Sequence, residues 1–320
     1  MRDQKPRLTL VLPCFSAGAS QTTAPRLPAL ETLLARATVS GRRSLSAAEL
    51  LFSLFGRVAE ELPVGAVRRV GDGGAADDGW WCCADPASFL ADRDRLHLVG
   101  PRELNVRPEE ADALVQLFNA HFAKEGWLLE SLHPERWYLR APGPQSVRMT
   151  PLAGAQQQEL RDAMPRGQEA LPWRRFINET QMLFHGSDVN HRREERGQLP
   201  INGIWPWGGG AVPSLARPFA QVWCADPLTR GLALLSGGEL RPLSAGLNAT
   251  TAGDMLVALM GELDSAGWRE AENTWFLPVR DAVAQDRLAA VDIECTQRFT
   301  LRRRDLRRWW RRRRPLGEWQ

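Results

Sequence analysis

The stretch HGSDVNHRREERGQLPINGIWPWGGG, from His185 to Gly210, is the most distinctive part of the sequence. It sets two amides, Asn190 and Asn202, and the guanidinium of Arg193 ahead of three consecutive glycines, Gly208 to Gly210. Ordinary core packing does not require that combination. A phosphate or carboxylate site does, because it needs closely approaching backbone N–H groups and fixed side-chain donors. The stretch therefore predicts a site for a small anion, with the backbone of Gly208, Gly209 and Gly210 as its floor.

Structural interpretations of the same residues stay open. Asn190 and Asn202 are also suited to capping turns, and a glycine run also serves a tight bend. Trp205 and Trp207 alternate on one face of a predicted strand, where most such pairs pack in a core or an interface. We keep both tryptophans in the candidate ligand site.

Two histidines and an aspartate in this stretch raise the question of a metal site. His185, Asp188 and His191 recur at every third residue, a spacing that can gather three ligands on a short helix. Gly186 and Ser187 make a regular helix doubtful there. We therefore predict no metal site at these residues, and we assign His185 to the ligand site instead.

Composition places the chain among ordinary globular proteins. Its 320 residues are 43% hydrophobic and 25% charged, close to globular averages. That length suits one large domain or two smaller ones. The first apolar run ends at Pro13 and is too short for a signal peptide or a membrane span. We expect a cytoplasmic protein without a transmembrane segment.

Cysteine usage agrees with that location. The five cysteines form an odd number and no CxxC pair; they are Cys14, Cys82, Cys83, Cys224 and Cys295. This argues against a disulfide framework and against a zinc knuckle. We expect reduced and mostly buried thiols, and no cofactor.

Arginine dominates the basic residues. Of the 41 lysines and arginines, only Lys5 and Lys124 are lysine. The segment from Arg298 to Pro315 contains ten arginines and one acidic residue, Asp305. Such a run can bind nucleic-acid phosphates through Arg298 to Arg314, with Trp309 and Trp310 stacking on bases, or lie against an anionic surface such as a membrane. A solvated terminal segment in an arginine-biased protein is the alternative.

Hydrophobic patterns predict the order of strands and helices. Strands are predicted for RLTLVLPCF, DRLHLVG, INGIWPW, FAQVWCAD and TWFLPV, and a hairpin for WLLESL with RWYLRA. Helices are predicted over 27–38, 106–126, 171–184 and 254–267, and after Pro227. A further helix is predicted to begin at Ser46, which is its expected N-cap, with Glu49 three residues later. Asp85 and Asp226 each precede a proline, where an Asx turn is expected.

Strands that alternate with helices favour an α/β fold. We expect a discontinuous α/β core over 1–99 and 171–297, an inserted α+β segment over 100–170, and an Arg/Trp-rich tail over 298–320.

The opening stretch resembles the HPVN…R…G…PAN…W.WG.G stretch of the archaeal-type cofactor-independent phosphoglycerate mutases. The positions in step are Val189, Asn190, Arg193, Gly197, Pro200, Asn202, Trp205, Trp207, Gly208 and Gly210. LTLVLPCF and LPALETLLARA are similar to that family's first strand and to a later helix. The resemblance implies an alkaline-phosphatase-like mixed sheet flanked by helices.

The departures from that family concern its metal centre. Enzymes of this superfamily hold two metal ions with an Asp that closes the first strand and with later Asp and His residues, beside a Ser or Thr nucleophile. Here Pro13 and Cys14 stand where the family has Asp-Gly. No His follows His191, and the late segment offers Asp281, Asp286 and Asp292. The resemblance therefore implies a fold that lacks the family's metal ligands.

A sequence that keeps the substrate-side motif and lacks the metal ligands resembles the RpfE-type regulatory proteins. The segment FINETQMLFH, from Phe176 to His185, also resembles the sequences of those proteins. We expect a phosphoglycerate-mutase-like regulatory protein that is not a catalyst and binds a small phosphorylated or carboxylated metabolite, with a possible protein partner. One alternative is an active cofactor-independent phosphoglycerate mutase that depends on divalent metal. Another is an adaptor that binds nucleic acid or a membrane surface through its arginines.

Overall fold

The chain forms two compact units in the computed structural model. The first comprises Met1–Arg57 and Leu215–Gln320, and the second comprises Val58–Ser214. The structure describes residues 5–12, 25–42, 45–92, 95–215, 219–247, 253–261, 263–295 and 297–318. Cys14 and Pro13 lie outside the described residues.

Twelve strands occur in the described part of the chain. They are β1 (Arg7–Val11), β2 (Thr38–Arg42), β3 (Trp81–Asp92), β4 (Arg95–Val99), β5 (Leu128–His133), β6 (Arg136–Arg140), β7 (Gly203–Gly210), β8 (Gln221–Cys224), β9 (Glu239–Arg241), β10 (Met255–Ala258), β11 (Ala290–Glu294) and β12 (Gln297–Leu301).

Twelve α-helices accompany them in the same ranges. They are α1 (Pro28–Arg36), α2 (Ala47–Leu54), α3 (Val64–Gly71), α4 (Pro101–Leu104), α5 (Pro108–Phe122), α6 (Leu152–Ala155), α7 (Leu160–Ala163), α8 (Ala170–His185), α9 (Asp188–Glu195), α10 (Pro227–Ser236), α11 (Ser265–Ala271) and α12 (Leu277–Ala284). A π-helical turn, Glu272–Phe276, joins α11 to α12.

A seven-stranded mixed sheet forms the centre of the first unit, in the order β2-β12-β11-β1-β10-β8-β9. Strands β11, β1, β10, β8 and β9 are parallel. At one edge, β12 is antiparallel to β11, and β2 is antiparallel to β12. Every residue of β10 and of β11 is buried. Strands buried on both faces are typical of α/β sheets covered by helices.

Helix α1 and the segment from the π-helical turn into α12 bury their apolar sides in the core of this unit. Leu30, Leu33 and Leu34 of α1 are buried there, as are Trp275 and Val279. The predicted mixed sheet flanked by helices is therefore confirmed.

The second unit is built on antiparallel strands. Strands β4, β3, β6 and β5 follow one another, and β7 also pairs with β3. The long strand β3 pairs with β6 and β7 through its first part and with β4 through its last. Helices α5 and α8 supply much of its aromatic core, with Phe118, Phe122, Trp173 and Phe176 buried.

Several local predictions are confirmed by these elements. Ser46 is the N-cap of α2. Its backbone N–H donates to the Glu49 carboxylate at 2.7 Å, and the backbone N–H of Glu49 donates to the Ser46 hydroxyl at 3.2 Å, which is a capping box. Helices α1, α5, α8 and α10 and the β5–β6 hairpin lie where the sequence placed them. Strands β1, β4, β7 and β8 do so as well.

Two local predictions are wrong. TWFLPV is helical, because Trp275, Val279 and Val283 continue one buried helical face across it. The helix predicted over 254–267 is instead strand β10 followed by α11. A short, wholly apolar run has no periodicity that separates a central strand from a buried helix.

The bounds of the two units also differ from the boundaries expected at 100 and 170. Strand β3 and helix α8 belong to the second unit. The expected tail is not separate either, since 298–301 lie in β12 and Leu316 is buried in the core of the first unit.

Candidate functional site

The stretch from His185 to Gly210 folds as the end of α8, helix α9, a connecting loop and strand β7. Ser187 caps α9 and accepts a hydrogen bond from the backbone of Asn190 at 3.3 Å. His185 is exposed at the end of α8.

Asn190 is buried, and its side-chain amide forms hydrogen bonds to the backbone on both sides of α9. Its Nδ2 donates to the carbonyls of Phe184 and Ile201 at 2.8 and 3.0 Å, and its Oδ1 accepts from the backbone of Ile201 at 2.8 Å. Both amide hydrogens and the carbonyl oxygen therefore have partners within the chain. This geometry gives Asn190 a structural role.

Arg193 is also committed to the fold. Its Nε and Nη2 donate to the carbonyls of Leu199 and Leu104 at 2.7 and 2.6 Å, and its Nη1 donates to Glu110 Oε2 at 2.6 Å. The side chain of Arg193 is 1% exposed. A guanidinium so buried needs such partners, since an unpaired buried charge is strongly destabilising.

Asn202 and Trp205 complete the structural part of the predicted set. Asn202 Oδ1 accepts from the backbone of Phe89 at 2.8 Å, and its Nδ2 donates to the carbonyl of Phe89 at 3.1 Å, which continues the β3–β7 pairing by one step. Trp205 is buried and donates to the carbonyl of Thr150 at 2.8 Å.

The three glycines allow close packing in this unit. A Cβ on Gly209 would lie 2.1 Å from the ring of Trp80, and one on Gly208 would lie 2.8 Å from Val64 Cβ. Gly208 has a φ of +64°, which side chains rarely adopt. The glycines therefore bring β7 against α3 and Trp80, and ligand binding by their backbone stays a prediction.

Trp207 leads to a group of charged residues that the sequence did not indicate. We call this group the Arg68 cluster; it comprises Arg68, Asp72, Cys83, Asp85, Arg136, Tyr138 and Trp207. Trp207 donates its indole N–H to Asp85 Oδ2 at 2.7 Å. Asp85 lies within β3 rather than in the predicted Asx turn.

Arg68 occupies the centre of the cluster. Its Nη1 lies 3.4 Å from Asp85 Oδ1 and 3.5 Å from Cys83 Sγ. Its guanidinium carbon lies 5.8 Å from the centre of the Trp207 ring and 6.0 Å from that of Tyr138. These distances are those of cation–π contacts, so the cation is held by both charge and aromatic rings.

A second ion pair adjoins the first. Arg136 donates from Nε and Nη2 to the two oxygens of Asp72, each at 2.8 Å, in a bidentate arrangement. The hydroxyl of Tyr138 also bonds to Asp72. Residues two positions apart share a face of a strand. Cys83 and Asp85 therefore lie on one face of β3, and Arg136 and Tyr138 lie on one face of β6.

Burial changes the titration of this cluster. It raises the pKa of Asp85, although Arg68 and Trp207 oppose the shift. It also raises the pKa of Cys83, to about 12, and it raises that of Tyr138. Asp72 behaves differently: burial favours its neutral form, but the hydrogen bonds from Arg136 and Tyr138 hold its pKa below the ordinary value. Perturbed titration in a group of charges often marks a functional site.

The dinuclear metal centre implied by the resemblance would need ligands in the first unit. At the carboxyl edge of its sheet, Val11, Ala258, Cys224 and Glu294 end four parallel strands in register. None of the protein's five histidines belongs to this unit, since they are at 97, 121, 133, 185 and 191. The strand ends at this edge therefore include no histidine.

The late aspartates are engaged elsewhere. Asp292 lies 2.7 Å from Arg7, Asp281 lies 2.7 Å from Arg280, and Asp286 pairs with Lys5. Within the described ranges, no group of three His, Cys, Asp or Glu side chains is placed to hold a metal ion. Over the same ranges, no helix is both long enough and apolar enough to cross a membrane.

Known proteins share this architecture. The cofactor-independent phosphoglycerate mutase from Thermoplasma acidophilum is similar over 98% of this chain and 94% of that chain, with a TM-score of 0.52 and 15% identity. A protein from Pyrococcus horikoshii is similar over 91% and 82% of the two chains, with a TM-score of 0.56 and 12% identity. The chain therefore has an alkaline-phosphatase-like α/β fold. Within that class, its fold is that of the cofactor-independent phosphoglycerate mutases.

One curated relative is similar in sequence. A probable 2,3-bisphosphoglycerate-independent phosphoglycerate mutase from Geobacter sulfurreducens is 29% identical over 86 residues. The match covers 25% of this chain and 22% of that protein. No family model matches the chain.

Proposed function

We propose that this chain is a phosphoglycerate-mutase-like regulatory protein of the RpfE type, which binds a small phosphorylated or carboxylated metabolite and does not catalyse its conversion. Two observations support the proposal. The fold is that of the cofactor-independent phosphoglycerate mutases. Within the described ranges, no group of three His, Cys, Asp or Glu side chains is placed to hold a metal ion.

The proposal includes a cytoplasmic location and a protein partner. The location is supported by Cys82, Cys83 and Cys224, which are buried free thiols. The partner is inferred from the resemblance to regulatory proteins. Occupancy of the metabolite site would change the contacts made with that partner.

We assign the metabolite to the Arg68 cluster, and the observation that carries this assignment is a pair of neighbouring arginines. The Asp72 carboxylate, which accepts hydrogen bonds from Arg136, raises the pKa of Arg136, and the nearby positive charge of Arg68 acts in the opposite direction. The side chains of Arg68 and Arg136 are 16% and 27% exposed. A bound anion would relieve the repulsion between them, and a guanidinium binds phosphate or carboxylate with good geometry.

Asp85 makes this cluster adaptable. Because burial raises its pKa, the cost of protonating Asp85 is reduced. Protonation would release the positive charge of Arg68 for an incoming anion. Trp207, the one residue of the predicted site that belongs to this cluster, would then hold both Asp85 and the face of Arg68 in place.

Thermal unfolding with added anions tests the assignment. Inorganic phosphate and 3-phosphoglycerate should raise the Tm in a concentration-dependent way, because ligand that binds only the folded state stabilises it by mass action. Glycerol should not do so at equal concentration. The shift should be lost in Arg136→Gln and partly kept in Arg136→Lys. Arg192→Gln, which changes an exposed arginine of α9, is the matched control.

Comparing the ligand-induced shift rather than the Tm itself corrects for any loss of stability caused by the substitution. An unchanged ligand-induced Tm shift in Arg136→Gln would show that the ligand does not bind at this cluster. The absence of any shift in the wild-type protein would count against metabolite binding as a whole.

The catalytic alternative has its own test. Phosphoglycerate isomerisation by the purified protein that depends on added Mn²⁺ or Co²⁺ and is abolished by a chelator would establish an active mutase. We expect no such activity.

A further inference from the structure

The carboxyl-terminal arginines and tryptophans form a fixed surface. We call residues 302–314 the Arg-Trp patch. Trp309 is 79% exposed and Trp310 is 63% exposed, which makes them two of the most exposed large hydrophobic residues in the described ranges. Tryptophan is highly buried on average, so two adjacent exposed tryptophans require an explanation.

Two arginines hold this patch against the first unit. Arg308 Nη1 donates to the carbonyl of Arg36 and to Thr38 Oγ1, each at 3.0 Å. Arg311 Nη1 donates to the carbonyl of Ala37 at 2.8 Å. These carbonyls lie at the carboxyl end of α1, where helix carbonyls lack intrahelical partners and cations are favoured.

The same contacts expose the tryptophans. Backbone bonds from Trp309 to Arg307 and from Arg311 to Arg308, at 2.8 and 3.1 Å, form a compact turn. The side chains of Arg308 and Arg311 on either side of the pair reach back to the protein. Beyond the turn, Leu316 is 3% exposed in the core. The two indoles between these anchors are therefore presented to solvent by a defined structure.

The surroundings of the indoles are strongly cationic. Nine arginines lie between Arg302 and Arg314, with Asp305 as the one acid. Asp305 is buried and bound by the backbone of Arg302 and by Arg308, both at 2.9 Å. The exposed arginines next to the indoles include Arg307, Arg312 and Arg313.

We propose that the Arg-Trp patch docks the protein onto an anionic lipid surface. Tryptophan is favoured at the level of lipid headgroups, where its apolar body and its N–H are both accommodated. Arginines near that surface are attracted to anionic headgroups. This inference goes beyond metabolite binding and does not depend on it.

The geometry of the indoles favours lipid over a single-stranded nucleic acid. The ring centres of Trp309 and Trp310 are 6.2 Å apart, and their planes cross at 83°. Successive bases stack in parallel planes, so this pair does not offer a continuous platform for two neighbouring bases. Insertion among headgroups requires no parallel alignment.

Co-sedimentation with vesicles tests the proposal. The full chain should sediment with vesicles of equimolar phosphatidylcholine and phosphatidylserine, and not with vesicles of phosphatidylcholine alone. Added salt should weaken this binding, because it screens charges at an exposed surface. Trp309→Ala/Trp310→Ala should bind roughly tenfold more weakly at unchanged charge. Arg307→Gln/Arg312→Gln should weaken binding by at least about tenfold.

Controls come from similar residues elsewhere. Met182→Ala removes an apolar side chain that is 72% exposed, and Arg161→Gln removes an arginine whose side chain is 83% exposed, both in the second unit. Both should bind vesicles like the wild type. Equal binding by the double tryptophan variant, or no binding by the wild type, would overturn the proposal. So would binding to a single-stranded oligonucleotide, lost in that variant, without binding to vesicles.

Discussion

Arg193 and Glu110 form a buried ion pair between helices α9 and α5, with Nη1 and Oε2 2.6 Å apart. The pair joins residues that are 83 positions apart in the chain. It makes Arg193 part of the interior of the second unit, although the sequence pattern around Arg193 indicates a ligand site.

Removing the cation of this pair should destabilise the protein. Arg193→Ala leaves Glu110 buried without its partner, and we expect a loss of about 3–5 kcal/mol in the free energy of unfolding. Arg193→Met/Glu110→Leu should recover much of that loss, since no buried charge then remains. Arg192→Ala, at an exposed neighbour, should have little effect. Urea unfolding measures all three. A small loss for Arg193→Ala would contradict the burial of the pair.

Gly209 should tolerate no side chain. In Gly209→Ala the new Cβ would meet the ring of Trp80 at 2.1 Å, and we expect a loss of about 1–3 kcal/mol from overpacking. The penalty should fall in a Trp80→Ala background, which a double-mutant cycle measures. Gly186→Ala is the control, because nothing lies within 4 Å of its added Cβ and its φ is −86°. Equal penalties in both backgrounds would disprove the close approach.

Asp72 should contribute stability that depends on pH. Its folded pKa lies below the unfolded value of about 3.9, so the contribution is fully present above that value. It is lost as the pH falls through the folded pKa. The difference in the free energy of unfolding between wild type and Asp72→Asn should therefore be large at neutral pH and shrink in acid. Asp162→Asn, at an exposed aspartate, should show a much smaller change. A difference that is independent of pH would argue against the Asp72–Arg136 pair.

The described cysteines should resist thiol reagents. Cys82, Cys83, Cys224 and Cys295 are buried, and burial raises the pKa of the Cys83 and Cys224 thiols to about 12. Because the thiolate is the reactive form, a Cys14→Ser variant should show almost no labelling at mildly alkaline pH until it unfolds. Labelling is followed by absorbance with and without denaturant. Rapid labelling of the native variant would show that one of these thiols is accessible.

Local structure was predictable where the signal is local. The Ser46 and Glu49 pair predicts a helix start. The apolar stripe of Leu114, Leu117 and Phe118 predicts the inner side of α5, where Leu114 and Phe118 are buried. Both depend on contacts within one or two turns of helix. The same reasoning failed for β10, whose residues are all apolar. Periodicity carries no information when every position is buried.

The candidate site was predictable only in part. The sequence pattern indicated the importance of Asn190, Arg193 and Asn202, but their hydrogen bonds go to the chain itself. Side-chain donors of the same types serve a ligand or a backbone carbonyl equally well. The identity of the partner depends on which segments lie nearby.

The sequence alone is sufficient for the Ser46 N-cap, the β5–β6 hairpin, six of the twelve described strands and the α/β fold class. Only the folded chain brings Arg68 to Asp85, Arg136 to Asp72, and Trp207 to Asp85. Strand pairing and burial bring these residues together across 17 to 122 positions, and the resulting exclusion of water gives their charges altered pKa values. No pattern within a few residues encodes that environment.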